Sequence, residues 1–199
     1  MQAATSSQLG LTHGSGSLRE SLTGKTLLVI GATAFVAACA HISFPLPFTP
    51  VPLTLQNFAV ILVGLALGPV AGFSAMVLYL VEGALGLPVF APTGGPVGIA
   101  HLLGPNGGFL FSYPLVAAIA GWVVRAMQPL TSRFRGALIA ATVATLPIFF
   151  LGAGWLSHIA HLNASTTWAL AVAPFLPGEI VKITAAAGIF SSLQRWRRS

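Results

Sequence analysis

The sequence predicts an all-α integral membrane protein, a bundle of six transmembrane helices with both termini in the cytoplasm. Two observations carry the membrane class. Of 199 residues, 55% are hydrophobic and only 6% are charged, against about 25% charged in a soluble domain, and the mean hydropathy is +0.88. Six apolar runs also approach the roughly 20 residues that one crossing needs. The third observation, the placement of the basic residues, sets the orientation.

The runs are Thr26–Phe44, Val51–Gly68, Val70–Val89, Phe109–Met127, Gly136–Leu156 and Trp168–Leu193. Residues 1–25 form a Ser/Gly/Gln-rich tail, read as disordered. Residues 26–193 form the membrane domain, and residues 194–199 form a short basic tail. Arg19 and Lys25 precede the first run, Arg125, Arg133 and Arg135 surround the fourth connection, and Arg195, Arg197 and Arg198 follow the sixth. The connections after runs 1, 3 and 5 carry no Lys or Arg, which is the positive-inside pattern. The high pI therefore reflects membrane topology and implies no nucleic-acid partner.

Within the runs, three charges stand where a bilayer makes them costly. Glu179 and Lys182 lie three residues apart in the last run, after Pro174-Phe175-Leu176-Pro177-Gly178. Each costs about 2.5–3.5 kcal/mol at mid-membrane on insertion scales. The spacing puts both on one helical face, where they offset each other and face a solute. Glu82 falls in the outer half of run 3. The external 3–4 connection, residues 90–108, is rich in Gly and Pro. Irregular backbone at membrane depth is tolerated where it lines a cavity, so the charges and this loop point to one pocket open to the outside. Gln56, Asn57 and Asn106 are further polar candidates for it, with Phe90 and Leu87 as apolar cover. A structural role for Glu82, as a protonated or backbone-bonded acid, stays open.

Other motifs fail on spacing. Gly24-Lys25-Thr26 resembles the end of a phosphate-binding loop, but the first glycine is replaced by Arg19 and no strand precedes it. The chain thus carries no ATPase motif of its own. His41, His101, His158 and His161 are all external in this topology, yet no Cys or carboxylate joins them at ligand spacing, so no metal is assigned. Val36-Ala37-Ala38-Cys39 resembles a lipoprotein cleavage box, but a lipid there would leave only residues 40–50 before the next run; a small buried cysteine fits better. Ala34-x-x-x-Ala38 and Gly64-x-x-x-Gly68 suit close helix contacts, within the bundle or with a partner.

Four ordered blocks resemble the BioY family, the biotin-binding S components of energy-coupling-factor (ECF) vitamin transporters. They are Ile42-Ser43-Phe44-Pro45-Leu46-Pro47-Phe48-Thr49-Pro50-Val51-Pro52-Leu53-Thr54-Leu55-Gln56; Gly83-Ala84-Leu85-Gly86-Leu87-Pro88-Val89-Phe90; Leu103-Gly104-Pro105-Asn106-Gly107-Gly108-Phe109; and Pro174-Phe175-Leu176-Pro177-Gly178-Glu179-Ile180-Val181-Lys182. The resemblance implies a six-helix substrate-binding subunit of a bacterial inner membrane, surrounded by lipid. It implies a vitamin pocket near the outer face and partners in a transmembrane coupling subunit and ATPase subunits. The family's acid and lysine for the biotin head map onto Glu179 and Lys182, with aspartate the usual residue at the first position. Its first-span small-residue contact with the coupling subunit maps onto Ala34 and Ala38. The resemblance implies neither an enzyme nor a cofactor. A different small vitamin, a metal-dependent intramembrane enzyme using Glu82, Glu179 and the histidines, and a purely structural protein are the alternatives.

Overall fold

The computed structural model describes residues 22–92, 95–128 and 130–196; the first 21 residues, Gly94, Arg197 and Arg198, all invoked above, lie outside them. The described chain is mostly helical. Its elements are α1 (Leu22–His41), a strand pair β1 (Ser43–Phe44) and β2 (Leu53–Thr54), α2 (Gln56–Leu67), α3 (Pro69–Ala84), the single turn α4 (Ile99–Leu102), α5 (Gly107–Met127), α6 (Arg133–Ile159), α7 (Ala164–Ala171) and α8 (Leu176–Trp196), with a 3₁₀ turn at Ala173–Phe175 between the last two. Four stretches are long and apolar enough to cross a membrane: Thr23–His41, Gly107–Met127, Arg133–Ile159 and Ala164–Trp196.

Several boundaries differ from the sequence expectation, each for a local reason. The first helix starts at Leu22, inside the expected tail, and stops at His41. The second run was expected to be helical from Val51. Instead, Pro45, Pro47, Pro50 and Pro52 keep the chain extended, and residues 43–54 form a strap closed by the antiparallel pairs Ser43↔Thr54 and Phe44↔Leu53. Leu55 N–H extends the ladder by donating to Ile42 C=O at 3.0 Å. The helix that follows has only 12 residues, and α3 has 16. At 1.5 Å per residue these reach about 18 and 24 Å, short of the roughly 30 Å hydrocarbon core. One residue joins them. Gly68 has φ +86°, a conformation open to glycine, and Pro69 begins α3 with its ring already set for the helix.

The last run also breaks. Ala173-Pro174-Phe175 forms a 3₁₀ turn, so α8 begins at Leu176 rather than Trp168. Its 21 residues give about 31 Å, one bilayer crossing. This start also places Glu179 in the first turn of α8.

The short α2 is the central element, touching α1, α3, α5, α6 and α8. It is apolar all round, and eight of its 12 residues are buried, as expected for a helix enclosed by others. The longer α5 packs most extensively on α6 and also on α3 and α2. Its crossing window is 72% buried against 33% for α1, so α5 is interior and α1 peripheral. Glycine makes the inner contacts close. A side chain at Gly64 would collide with the Ala117 backbone, and one at Gly121 with the Gly68–Pro69 backbone. Thus Gly64 and Gly68 serve packing within the bundle.

Candidate functional site

The ion pair expected from the (i, i+3) spacing is formed. Lys182 Nζ lies 3.2 Å from Glu179 Oε2, and the two residues are 7% and 2% exposed. Glu179 gains from its place in the first helical turn, where the α8 dipole favours an anion. Two other helices complete the group. Asn57 Nδ2, at the start of α2, lies 3.5 Å from Glu179 Oε2. The Tyr113 hydroxyl of α5 donates to Asn57 Oδ1 at 2.9 Å. A chain of polar contacts therefore runs Tyr113, Asn57, Glu179, Lys182 across three helices that are far apart in sequence.

Tyr113, Asn57 and Lys182 line a slot, and Glu179 is linked to it through Lys182 and Asn57. Its walls include Val51, Pro52 and Thr54 of the strap, Gln56 and Asn57 of α2, His101 and Asn106 before α5, Tyr113 of α5, Phe149 of α6, and Lys182. The slot is small, about 40 Å³. Two buried acceptors at this site have no donor among the described residues, Glu179 Oε1 and Asn106 Oδ1. Buried polar atoms are ordinarily paired, so these are places where a solute with N–H groups gains most.

The surrounding side chains are held firmly. Gln56 Nε2 donates to the Tyr79 hydroxyl at 2.7 Å, and that hydroxyl donates to Val89 C=O at 2.6 Å. The Phe90 ring meets Tyr79 edge-on at 5.4 Å and stacks on His101 at 5.1 Å, so Phe90 backs the slot through His101. Trp155 Nε1 donates to Gly104 C=O at 2.9 Å, pinning the loop that carries Asn106. Thr49 Oγ1 donates to Leu170 C=O at 2.8 Å, tying the strap to α7.

Glu179, Lys182, Gln56, Asn57 and Asn106 thus come together. Glu82 stands apart. It is half-buried between α3 and α1, where Thr33 Oγ1 lies 3.1 Å from its Oε1 and 2.9 Å from Ile30 C=O; it does not line the slot. Leu87 is exposed and does not line the slot. Ala34 and Ala38 are exposed on the outer face of α1, and a side chain at nearby Gly31 would meet nothing within 4 Å. His41, His158 and His161 are exposed and dispersed; among the described residues no three metal-binding side chains gather. Cys39 is buried and free. Sequence reasoning passed over Tyr113 and Tyr79, because a lone tyrosine in an apolar run carries no periodic signal.

Comparison with known proteins identifies the family. The BioY family model matches residues 8–199. A protein of Pyrococcus horikoshii named probable biotin transporter BioY is 42% identical over 145 residues, covering 73% of this chain and 82% of that one. Biotin transporter BioY of Thermotoga maritima is 35% identical, covering 82% and 91%. Biotin transporter BioY2 of Lactococcus lactis subsp. cremoris is 36% identical, covering 79% and 82%. Among solved structures, the S-component for biotin from an ECF-type ABC transporter superposes with a TM-score of 0.77 at 27% identity, covering 86% of this chain and 90% of that one. The chain is a member of the BioY family.

Proposed function

We propose that this chain is the biotin-binding S component of an ECF transporter, capturing biotin at the outer face of the plasma membrane and delivering it inward with a coupling subunit and ATPases. The observation that carries the reading is the complement of groups in and beside the slot: two acceptors without donors among the described residues, Asn106 Oδ1 and Glu179 Oε1, with the Lys182 ammonium on the slot wall. Biotin's ureido group presents two N–H donors and one carbonyl acceptor on a flat ring. A carboxylate only accepts and an ammonium only donates, so Glu179 takes ureido N–H and Lys182 takes the carbonyl. Such charge-assisted bonds are roughly twice as strong as neutral ones.

Orientation follows from the same arrangement. Lys25 and Arg125 line one cavity, and Arg133 Nη1 donates to Gln194 C=O near the end of α8. None of these residues lines the slot. The positive-inside rule then supports cytoplasmic termini and an outward slot, with α1, α5, α6 and α8 as full crossings and the shorter α2 and α3 enclosed among them. The exposed Ala34 and Ala38 offer the coupling subunit two small side chains one helical turn apart. Glu82 belongs to the α1–α3 contact in this reading, and Phe90 supports the site from behind.

Calorimetric titration of biotin into the detergent-purified protein tests the proposal, with thiamine and riboflavin as controls. Saturable one-site binding of biotin alone is expected; selective binding of another vitamin would replace the ligand, and no binding by folded protein would refute the reading. Direction is tested with two analogues. Biotin methyl ester should bind nearly as well as biotin, whereas 2-iminobiotin, whose guanidinium would face Lys182, should bind far more weakly. The reverse order would place the carboxylate at the pair.

Two substitutions probe the network. Glu179→Asp keeps the charge and shortens the arm by one methylene, so biotin binding should persist within about tenfold (about 1.4 kcal/mol); complete loss would mean that the surroundings have adapted to the longer side chain. Tyr113→Phe removes the donor to Asn57 and should weaken binding about two- to tenfold, the worth of one hydrogen bond. Unchanged titration of the Tyr113→Phe protein would detach Asn57 from the site.

A further inference from the structure

At the end of the molecule that carries Lys25 and Arg125, a second cavity opens between α1, the α2–α3 corner and α5. It is lined by Lys25, Leu28, Val29, Ala66, Leu67, Val70, Ala71, Ser74 and Arg125, and it is far roomier than the slot, about 470 Å³ against 40 Å³. Its character is divided. Lys25 and Arg125 are exposed, and neither has a carboxylate partner among the described residues. The remaining wall is mainly aliphatic, with Val70 78% exposed. An adjoining groove of almost purely apolar wall shares Leu28, Ala66 and Leu67 with it and continues along α1 past Gly31 and Phe35.

We propose that this cavity binds one anionic phospholipid, the headgroup phosphate between Lys25 and Arg125 and an acyl chain against Leu28, Leu67 and Val70. Charge complementarity selects the occupant. Two cations at the mouth of a lipid-facing groove attract a headgroup of net negative charge, and basic pockets between helices bind such headgroups. A guanidinium also matches a phosphate with two parallel N–H donors. The aliphatic wall separates this arrangement from a site for free phosphate, which has nothing to place there. The positive-inside rule alone requires cations near this face but not a groove beside them. The Arg125 guanidinium lies over Gly68, in the space that a Cβ there would fill.

The test uses the full chain in neutral detergent with palmitoyl-oleoyl phosphatidylglycerol as probe, phosphatidylcholine of the same chains as control, and inorganic phosphate as competitor. Native mass spectrometry reads the lipid bound. One phosphatidylglycerol should be retained in preference to phosphatidylcholine. The Lys25→Gln/Arg125→Gln protein should lose that preference by about tenfold, helix content by circular dichroism serving as the folding check. Ser74→Phe keeps both charges but fills the groove, and should reduce retention of both lipids. Equal retention of the two lipids by the parent protein, or unchanged preference in the double variant, would overturn the proposal. So would displacement by millimolar phosphate, which would mark a free-anion site. Retention unaffected by Ser74→Phe, with weakened capture of the coupling subunit, would assign the groove to a protein helix instead.

Discussion

Lys182→Ala is expected to weaken biotin binding by about tenfold or more and to destabilise the fold by about 3–5 kcal/mol, because it strands a buried carboxylate. Glu179 is 2% exposed, and Lys182 is its only cationic partner among the described residues. Asn57 alone, at 3.5 Å, is a poor substitute for an ammonium. The two consequences separate in the double variant Glu179→Gln/Lys182→Met, which removes both charges at similar volume. Its thermal midpoint in detergent should recover toward the parent value, since replacing a buried pair by uncharged groups is often neutral or better. Biotin binding should stay weakened by about tenfold or more. A Lys182→Ala protein that is folded and titrates like the parent would end the assignment of the slot.

The second large effect is expected at Gly64, about two turns along α2 from Asn57. A side chain there meets the Ala117 backbone, which cannot rotate aside as a flexible side chain would. Gly64→Leu should force α2 from α5 at a cost at or above the roughly 1–3 kcal/mol typical of overpacking. Thermal unfolding in detergent reads this directly, with Gly31→Ala as the matched control, because Gly31 has open space around it. Equal midpoints for Gly64→Leu and the parent would show that the α2–α5 contact is looser than these distances imply. The effect should spread to ligand binding, because α2 carries Asn57 and α5 carries Tyr113.

What the sequence revealed, and what it withheld, follows from the range of the interactions involved. Membrane character is a sum over composition and survives small errors in boundaries. Glu179 and Lys182 were legible as a pair because helix geometry alone brings residues three apart together. The lengths of α2 and α3 were not, because hydropathy does not distinguish an apolar helix from an apolar strap; the four prolines between 45 and 52 were the usable signal. The 3₁₀ break at Ala173–Phe175 was similarly announced by Pro174 but masked by continuous apolarity. Glu82 looked like a pocket residue when judged by depth alone. Its partner Thr33 lies 49 positions away, and only the packing of α1 on α3 turns that carboxylate away from the slot. Tyr113 reaches Asn57 across 56 residues, so no local pattern could have announced it.

The two donorless acceptors imply something about rejection as well as capture. A solute whose polar edge offers only acceptors, such as a lactone or cyclic carbonate with biotin's outline, would bring lone pairs against Glu179 Oε1 and Asn106 Oδ1. It would displace whatever solvates them and return no hydrogen bond, at a cost of about 1–3 kcal/mol for each buried group left unpaired. Discrimination by shape would change little between such a molecule and biotin. In the proposed reading the slot would therefore select solutes by the direction of their hydrogen bonds as well as by outline, and a ring of the right size with the wrong polarity would gain nothing from these two acceptors.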